Sequence, residues 1–317
     1  MKPKHDGAQR GRGTSLAIER GPDRVALLDE TIGENLERTV SLHGDRDAIV
    51  SVHQGIRWSY AEFQARVQRL ARGLLAMGLQ RGDRVGLWSA NNAEWILVQY
   101  ATAEIGVILV NVNPSYRTHE LAFALNQSGC RALFAAPGFK TSDYVAMVDE
   151  VRAECAMLSD VVFLGSHAWD MLCDPSAGVA EEELRERRRS LTATDPINIQ
   201  YTSGTTGFPK GATLSHRNIL NNGYFVAELQ GFTQEDRLCV PVPFYHCFGM
   251  VMGNLGCTTH GATIVIPAEA FDPEAVLQAV EMERCTALYG VPTMFIAELA
   301  HPAFERFDLS SLRTGVM

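Results

Sequence analysis

The sequence predicts an α/β fold, in which parallel strands alternate with helices that cover both faces of a sheet. Two observations predict it. From about Leu27 onward, segments with helical apolar spacing alternate with short apolar runs that are bounded by Gly, Pro and Asn. The 317 residues are also 46% hydrophobic and 21% charged, which is typical of a globular chain with one large core or two medium ones.

The first predicted unit is a helix followed by a strand. The helix covers Tyr60 to Met77, because its apolar residues recur every three or four positions, and Gly78 closes it as a C-terminal cap. Gly82 and Asp83 then turn the chain into a strand from Arg84 to Trp88.

The following region repeats this alternation. A helix, a buried strand, a proline turn and another helix come in that order, and shorter apolar runs predict further strands. The predicted bounds are Asn92 to Ile105, Val107 to Asn111, Asn113-Pro114 and Tyr116 to Asn126, with the further strands at Ala132 to Ala135, Val161 to Leu164 and Ile197 to Tyr201.

A charged segment, Glu181 to Arg189, predicts a solvated helix or a linker. Its Glu181/Arg185 and Glu183/Arg187 pairs have the i,i+4 spacing that allows ion pairs. The segment lies near the end of the first of two expected α/β subdomains, 27–195 and 196–317.

Residues 1–26 are expected to form a disordered leader, because this polar stretch lacks the apolar region of a signal peptide; an organelle-targeting leader is the alternative.

Charge and apolar content exclude several classes of partner. A net charge of −9 and a pI near 5.5 argue against nucleic acid and anionic membrane surfaces, since both require an excess of Lys and Arg. The longest apolar stretch, Trp95 to Val110, is interrupted by Gln99 and Glu104 and is too short to cross a bilayer. No integral membrane segment is therefore expected.

Seven scattered cysteines without a CxxC pair predict buried thiols in a reducing cytoplasm.

The chemistry is concentrated in Tyr201 to Gly211, which reads Tyr-Thr-Ser-Gly-Thr-Thr-Gly-Phe-Pro-Lys-Gly. Glycines let the backbone turn its N–H groups towards an anion, hydroxyl groups donate to phosphate oxygens, and a lysine supplies a compensating charge. The P-loop of common NTPases requires Gly-Lys-Ser/Thr, whereas here Pro209 precedes Lys210. A flexible linker would not explain the Pro-Lys-Gly ending. We interpret the segment as a polyphosphate-binding loop of another enzyme class.

This loop resembles the phosphate-loop signature of the acyl-adenylate-forming (AMP-binding) superfamily, which includes acyl-CoA synthetases, firefly luciferase and peptide-synthetase adenylation domains. The resemblance extends over the whole segment. It implies that the loop wraps the β- and γ-phosphates of ATP and that Lys210 is also a catalytic residue. The implied nucleotide-binding residues are Thr202, Ser203, Gly204, Thr205, Thr206, Gly207 and Lys210.

A second motif of that superfamily, Pro243 to Gly249, reads Pro-Phe-Tyr-His-Cys-Phe-Gly. An imidazole beside aromatic and apolar groups can hydrogen-bond a carboxylate while the rings shield an acyl chain from water. His246 is therefore the second candidate catalytic residue, which orients the acyl carboxylate and the adenylate. Amino-acid-activating relatives usually place an Asp in this neighbourhood, but this sequence has no acid there. An uncharged acyl tail is expected, because a buried ammonium would lack a partner charge.

Two weaker matches, Val112 to Arg117 and Tyr289 to Phe295, resemble segments of fatty-acyl-CoA synthetases. The resemblance implies a fatty-acid–CoA ligase that uses ATP, Mg²⁺ and coenzyme A to convert a medium- to long-chain fatty acid through acyl-AMP to acyl-CoA. The sequence assigns no metal ligand. Two alternatives stay open: a non-catalytic nucleotide- or acyl-binding module, and an adenylation enzyme for another carboxylic acid.

Members of the superfamily usually run considerably longer than this sequence, which ends at Met317. Their adenine, ribose and magnesium segments, and a small C-terminal domain with a catalytic Lys, are expected to follow that position. The expectation is therefore an N-terminal part that is weakly active or inactive alone. An incomplete or frameshifted gene, a partial chain and a separately encoded C-terminal half are the three explanations. An exposed sheet edge would also allow a homo-oligomer.

Overall fold

The protein contains two six-stranded sheets that are flanked by helices, so the predicted α/β fold is confirmed. The computed structural model describes residues 25–174, 176, 178–202 and 209–317. Positions 1–24 of the predicted leader therefore lie outside the described residues.

The described elements are numbered in chain order. The strands are β1 Asp47–Ser51, β2 Ile56–Ser59, β3 Arg84–Trp88, β4 Ile108–Asn111, β5 Cys130–Ala135, β6 Gly138–Phe139, β7 Ser142–Asp143, β8 Asp160–Phe163, β9 Pro196–Thr202, β10 Lys210–Ser215, β11 Arg237–Cys239, β12 Thr263–Ile266, β13 Ala287–Tyr289 and β14 Thr314–Val316. The α-helices are α1 Ile32–His43, α2 Tyr60–Ala76, α3 Ala93–Ile105, α4 Thr118–Ser128, α5 Tyr144–Val151, α6 His167–Cys173, α7 Glu181–Arg189, α8 His216–Leu229, α9 Gly256–His260, α10 Pro273–Glu283 and α11 Pro292–Leu299. A π-helix, Phe248–Leu255, precedes α9.

Both large sheets are mainly parallel. The first has the order β14-β13-β11-β12-β1-β2, with β1 and β2 antiparallel. The second has the order β10-β9-β4-β3-β5-β8, with β10 and β9 antiparallel. Each sheet combines strands from before and after position 195. The subdomain boundary at 195 thus stays a prediction about sequence organisation, because the strand pairing does not follow it.

The alternation of side chains along the strands divides the core into three layers. In the second sheet, Val85 and Leu87 face a central layer, whereas Trp88 faces an outer layer that contains α4 and α5. In the first sheet, Ile49 faces the same central layer and Val50 faces an outer layer with α10. The central layer includes α2, α3, α8 and the π-helix. Helices therefore cover both faces of each sheet, as a mainly parallel sheet requires.

The predicted elements agree closely with the observed ones where the local signals are strong. Strand β3 has the predicted bounds, and Asn92 caps α3 by accepting a hydrogen bond from the Trp95 N–H at 2.7 Å. Helix α4 begins at Thr118, two positions later than predicted. The reason is a turn before it, in which Asn113 Oδ1 accepts from the Ser115 N–H at 2.9 Å.

Helix α3 is buried on almost every side, with only Glu94 outside the core. It therefore occupies the space between the two sheets as a central scaffold.

None of the helices in the described ranges is both long and apolar enough to cross a membrane. All seven cysteines are free thiols, and five of them are buried, in agreement with the prediction.

The helix predicted for α7 is confirmed, and six of its nine residues are exposed, in agreement with a solvated helix. The predicted Glu181–Arg185 ion pair forms at 2.9 Å. Arg187, in contrast, donates to Gln80 Oε1 at 2.9 Å rather than to Glu183. One face of the helix docks on the core through Leu184, which is 4% exposed. The spacing of charges within the helix could not predict this docking, because the residues that α7 contacts lie far away in sequence.

The docking of α7 includes a buried ion pair with α3. Arg188 Nε lies 2.7 Å from Oε2 of Glu104, and its Nη2 lies 2.6 Å from Glu37 of α1. The Glu104 side chain is fully buried and neither of its oxygens accepts a well-aligned hydrogen bond. Burial raises the pKa of the Glu104 carboxyl to about 7, against the opposing attraction of Arg188.

We expect Glu104→Gln to make the stability of the protein less dependent on pH. The folded state raises the pKa of Glu104 from its ordinary value of 4.5 to about 7, so it holds a proton that the unfolded chain releases. The stability contributed by that proton is complete below about pH 4.5 and is lost as the pH rises through about 7. Between pH 5 and pH 8, the unaltered chain should lose on the order of 3 kcal/mol more stability than Glu104→Gln does.

The measurement is the free energy of unfolding in urea at pH 5 and at pH 8. Glu183→Gln is the matched control, because Glu183 lies on the exposed side of α7. It should leave the pH dependence unchanged. An identical pH dependence in Glu104→Gln and the unaltered chain would contradict the assignment.

Candidate functional site

A cleft of about 480 Å³ lies where β4 and β9 end. The carboxyl ends of parallel strands are a common location for ligand sites in α/β folds. The described residues that line it are Asn111, Asn113, Tyr116, Gln200, Tyr201, Thr202, Pro209, Tyr245, His246 and Cys247. The cleft therefore joins the flanks of the predicted phosphate loop to the second sequence motif.

The phosphate loop connects two adjacent antiparallel strands. Strand β9 ends at Thr202 and β10 begins at Lys210, and these two residues are paired across the ladder. The Thr202 hydroxyl donates a long hydrogen bond of 3.4 Å to the Lys210 carbonyl oxygen. The ends of the loop are thus fixed by the sheet. The predicted nucleotide-binding residues between them lie outside the described residues; they are Ser203, Gly204, Thr205, Thr206 and Gly207.

Two of the predicted nucleotide-binding residues, Thr202 and Lys210, are among the described residues, and only Thr202 lines the cleft. Thr202 lines the cleft, as does Pro209. The Lys210 side chain is exposed and is not among the described groups that line it. The role of Lys210 therefore stays a prediction.

His246 lies in the turn between β11 and the π-helix, and its side chain is exposed to the cleft. The backbone N–H of Phe248 donates to Nδ1 of His246 at 3.2 Å. A backbone N–H can only donate, so Nδ1 must be the unprotonated nitrogen in this geometry. The neutral ring therefore carries its proton on Nε2 and offers one hydrogen-bond donor.

The turn packs closely against the first part of the π-helix. The His246 carbonyl accepts from the N–H groups of Gly249 and Met250 at 3.0 and 3.1 Å. A Cβ atom on Gly249 would lie 2.5 Å from the carbonyl oxygen of Pro243. Glycine is therefore required at this position by the close approach of two backbone segments.

Three buried amide side chains hold the turn, and the sequence analysis missed all three. Asn91 accepts from the Phe244 N–H at 2.8 Å and donates to the Val242 carbonyl at 2.9 Å. Asn111 and Gln200 both donate to the Tyr245 carbonyl, at 3.0 and 2.9 Å. For Asn111 and Gln200, a polar residue in a mainly apolar strand was the available signal, because a buried amide needs a specific partner.

The cleft contains no carboxylate among its described lining residues. The rings of Phe248 and Tyr289 pack with centroids 5.3 Å apart, and Phe248 follows the lining residue Cys247. Burial raises the pKa of Tyr201 to about 12 and also raises the pKa of the Cys247 thiol. Both groups therefore stay protonated near neutral pH, and Cys247 is a poor nucleophile.

The site offers hydrogen-bond donors rather than metal ligands. Across the described ranges, no group of three or more His, Cys, Asp or Glu side chains could hold a metal ion. The donors of the cleft are the Thr202 hydroxyl, the His246 Nε2–H and side-chain amides. Such an arrangement can position an anion, and among the described lining residues no nucleophile is activated by a neighbouring base.

Several known proteins are similar to this chain. A family model described as "AMP-binding enzyme" matches residues 36–317. YngI of Bacillus subtilis (strain 168) is 44% identical over 310 residues, which are 92% of this chain and 56% of that protein. The medium-chain acyl-CoA ligase ACSF2, mitochondrial, of Danio rerio is 41% identical, over 92% of this chain and 51% of its own length. The chain thus spans about half the length of the curated relatives it matches.

A solved structure confirms the fold. The N-terminal domain of FACL13 from Mycobacterium tuberculosis superposes with a TM-score of 0.75, over 90% of this chain and 69% of that one. Its sequence identity is 24%, so this likeness concerns the fold alone.

We expect Gly249→Ala to destabilise the protein by roughly 1–3 kcal/mol, because the new methyl group overlaps the Pro243 carbonyl. Urea unfolding measures the change. Gly253→Ala, in the same π-helix, is the control: there the nearest atom to a new Cβ is a Val240 methyl group at 3.2 Å. The expected cost at Gly253 is smaller because a side chain can move more easily than the backbone. Equal losses would show that the close approach at Gly249 is not the cause.

Proposed function

The chain belongs to the AMP-binding enzyme family, and from this premise we propose that it binds the nucleotide and the acid of a fatty-acid–CoA ligase. The reaction would proceed in two steps. The acid carboxylate attacks the α-phosphorus of MgATP, which gives acyl-AMP and releases pyrophosphate. The thiol of coenzyme A then attacks the acyl carbon, which gives acyl-CoA and releases AMP.

The observation that carries this proposal is the shared cleft. Thr202 and Pro209, which flank the phosphate loop, line the same space as His246. A polyphosphate held by the loop and a carboxylate held by the imidazole would therefore meet within it. Neither step requires a protein nucleophile, so the work of these residues is to position the reactants and stabilise charge.

Each group has a distinct part in this proposal. The loop and the Lys210 ammonium bind the β- and γ-phosphates, and magnesium enters as part of the MgATP substrate. The Nε2–H of His246 donates to the carboxylate of the acid. Phe248, which is half-buried and directly follows the lining residue Cys247, supplies apolar surface for the acyl chain. The lack of a carboxylate among the described lining residues favours an uncharged tail over an amino acid.

A medium- to long-chain fatty acid is the proposed substrate class, and the cytoplasm the proposed compartment. The name of the Danio rerio relative supports a medium chain. Because the chain spans about half of such relatives, complete turnover is proposed to require the remaining elements of the family.

One alternative is a non-catalytic nucleotide- or acyl-binding module. Pyrophosphate–ATP exchange by the purified chain separates the two functions. Because complete turnover is proposed to require further elements, we expect weak exchange that depends on added fatty acid and that varies across acids of graded chain length. MgATP binding without exchange would instead favour the non-catalytic module. Exchange supported only by other carboxylic acids would contradict the fatty-acid assignment.

Lys210→Ala and His246→Ala should separate the two halves of the cleft. Lys210→Ala removes a cation facing the triphosphate and should weaken MgATP binding about tenfold, a change of about 1.4 kcal/mol. His246→Ala should weaken binding of the fatty acid by a similar factor and leave MgATP binding nearly unchanged. Isothermal titration calorimetry with each ligand measures both constants.

Lys140→Ala is the matched control for the loss of a lysine, since Lys140 lies outside this cleft. It should bind MgATP like the unaltered chain. Unchanged MgATP affinity in Lys210→Ala would remove Lys210 from the proposed role.

A further inference from the structure

We infer that Gln200 and Asn111 are positioning residues, whose amides fix the turn carrying His246 against the strand that leads into the phosphate loop. This inference rests on the proposed role of His246 in holding the acid carboxylate. It adds two residues that neither sequence motif contains.

The two amides form one network with the backbone of the turn. Gln200 Nε2 and Asn111 Nδ2 donate to the same acceptor, the carbonyl oxygen of Tyr245, at 2.9 and 3.0 Å. Asn111 also donates to Gln200 Oε1 at 3.1 Å, and Asn198 donates to Asn111 Oδ1 at 2.9 Å. The three amides are 1–5% exposed. Each hydrogen bond therefore restricts the orientation of the next amide. The network is attached to the turn at the carbonyl of Tyr245, the residue immediately before His246.

Packing alone does not explain amides at these positions. The adjoining residues of β4 and β9 are mainly apolar, and an aliphatic side chain would fill the same buried space without a polar group to satisfy. What an aliphatic side chain cannot do is donate to the Tyr245 carbonyl. The amides thus have a directional function, which is to hold a particular carbonyl at a particular place.

The turn is held from its other side as well. Asn91 fixes the backbone of Val242 and Phe244, which come directly before Tyr245. With both sides fixed, the backbone from Tyr245 to Phe248 stays closed. Only a closed turn brings the Phe248 N–H to Nδ1 of His246. The amides therefore determine which ring nitrogen carries the proton, and hence that Nε2–H is the donor available to a carboxylate.

The same network sets the distance between the two halves of the cleft. Gln200 lies two residues before Thr202, where β9 ends and the phosphate loop begins. Side chains alternate along a strand, so Gln200 and Thr202 lie on the same face. The amide of Gln200 therefore joins the phosphate side of the cleft directly to the turn of His246.

The test is the tautomer of His246 in the full chain without any ligand. Histidine labelled with ¹⁵N and ¹³C is observed by NMR at about pH 8.5, where an ordinary histidine is neutral. The loss of one signal set in His246→Gln assigns the residue. In the unaltered chain we expect a single tautomer, with the proton on Nε2. In Gln200→Met, which keeps side-chain length but removes both hydrogen-bonding groups, we expect the shifts to move towards a mixture of tautomers.

Asn221→Leu is the matched control. Asn221 is also a buried amide that clamps a distant backbone, since it bonds the N–H and the carbonyl of Leu28 at 2.8 and 2.9 Å. Its loss should lower stability without changing the tautomer of His246. A change of the same size in Asn221→Leu would overturn the inference, because general loosening would then explain the effect.

Two further outcomes decide the inference. An unchanged tautomer in folded Gln200→Met, and in folded Asn111→Leu, would overturn it. If neither variant folds, the unaltered chain still decides: a proton on Nδ1 overturns the inference and a proton on Nε2 alone supports it. The measurement needs neither ATP nor fatty acid. Failure of acid-dependent pyrophosphate exchange would therefore contradict the proposed function without altering this result.

Discussion

The parallel pairing of β4 with β9 is the constraint on which the cleft depends. In this pairing Asn111 lies beside Gln200, although 89 positions separate them in sequence. Both strands end at the same edge of the sheet, and β9 continues from there into the phosphate loop. A shift of the register by one residue would turn one of the two amides to the opposite face of the sheet. The carbonyl of Tyr245 would then lose a donor, and the turn of His246 would lose its connection to the loop.

Helix α3, in the centre of the molecule, also holds other elements in place through a few polar side chains. Gln99 donates to the Met250 carbonyl at 3.2 Å and accepts from Asn254 at 2.9 Å, so the helix also holds the π-helix. At its other end, Glu104 pairs with Arg188 of α7. A polar group in an apolar layer is costly unless it has a partner. The few polar residues of α3 therefore act as specific attachments, and the remainder of the helix supplies apolar contacts to both sheets.

Much of the fold could be predicted because its signals are local. The spacing of Phe63, Val67 and Leu70 indicated α2, and the structure buries all three. The bounds of β3 were predicted correctly, whereas α4 begins later because of a side-chain turn at Asn113. Helix α7 was correctly predicted as a largely exposed helix, but its contact with the core was not predicted. Its charges suggest an exposed helix, but its docking depends on Glu104 and Gln80, which no spacing within the helix can indicate.

In the candidate site too, some features could be predicted from local sequence and others depend on the fold. The sequence by itself determined the family, the loop from Tyr201 to Gly211 and the motif around His246, because these are short runs whose chemistry depends on neighbouring residues. Only the tertiary structure decided that Thr202 and His246 share a cleft, that Nδ1 of His246 accepts from Phe248, and that buried amides hold the turn. The physical reason is that a hydrogen bond depends on distance and direction in space. Sequence encodes such geometry only through the register of paired strands and the packing of the layers around them.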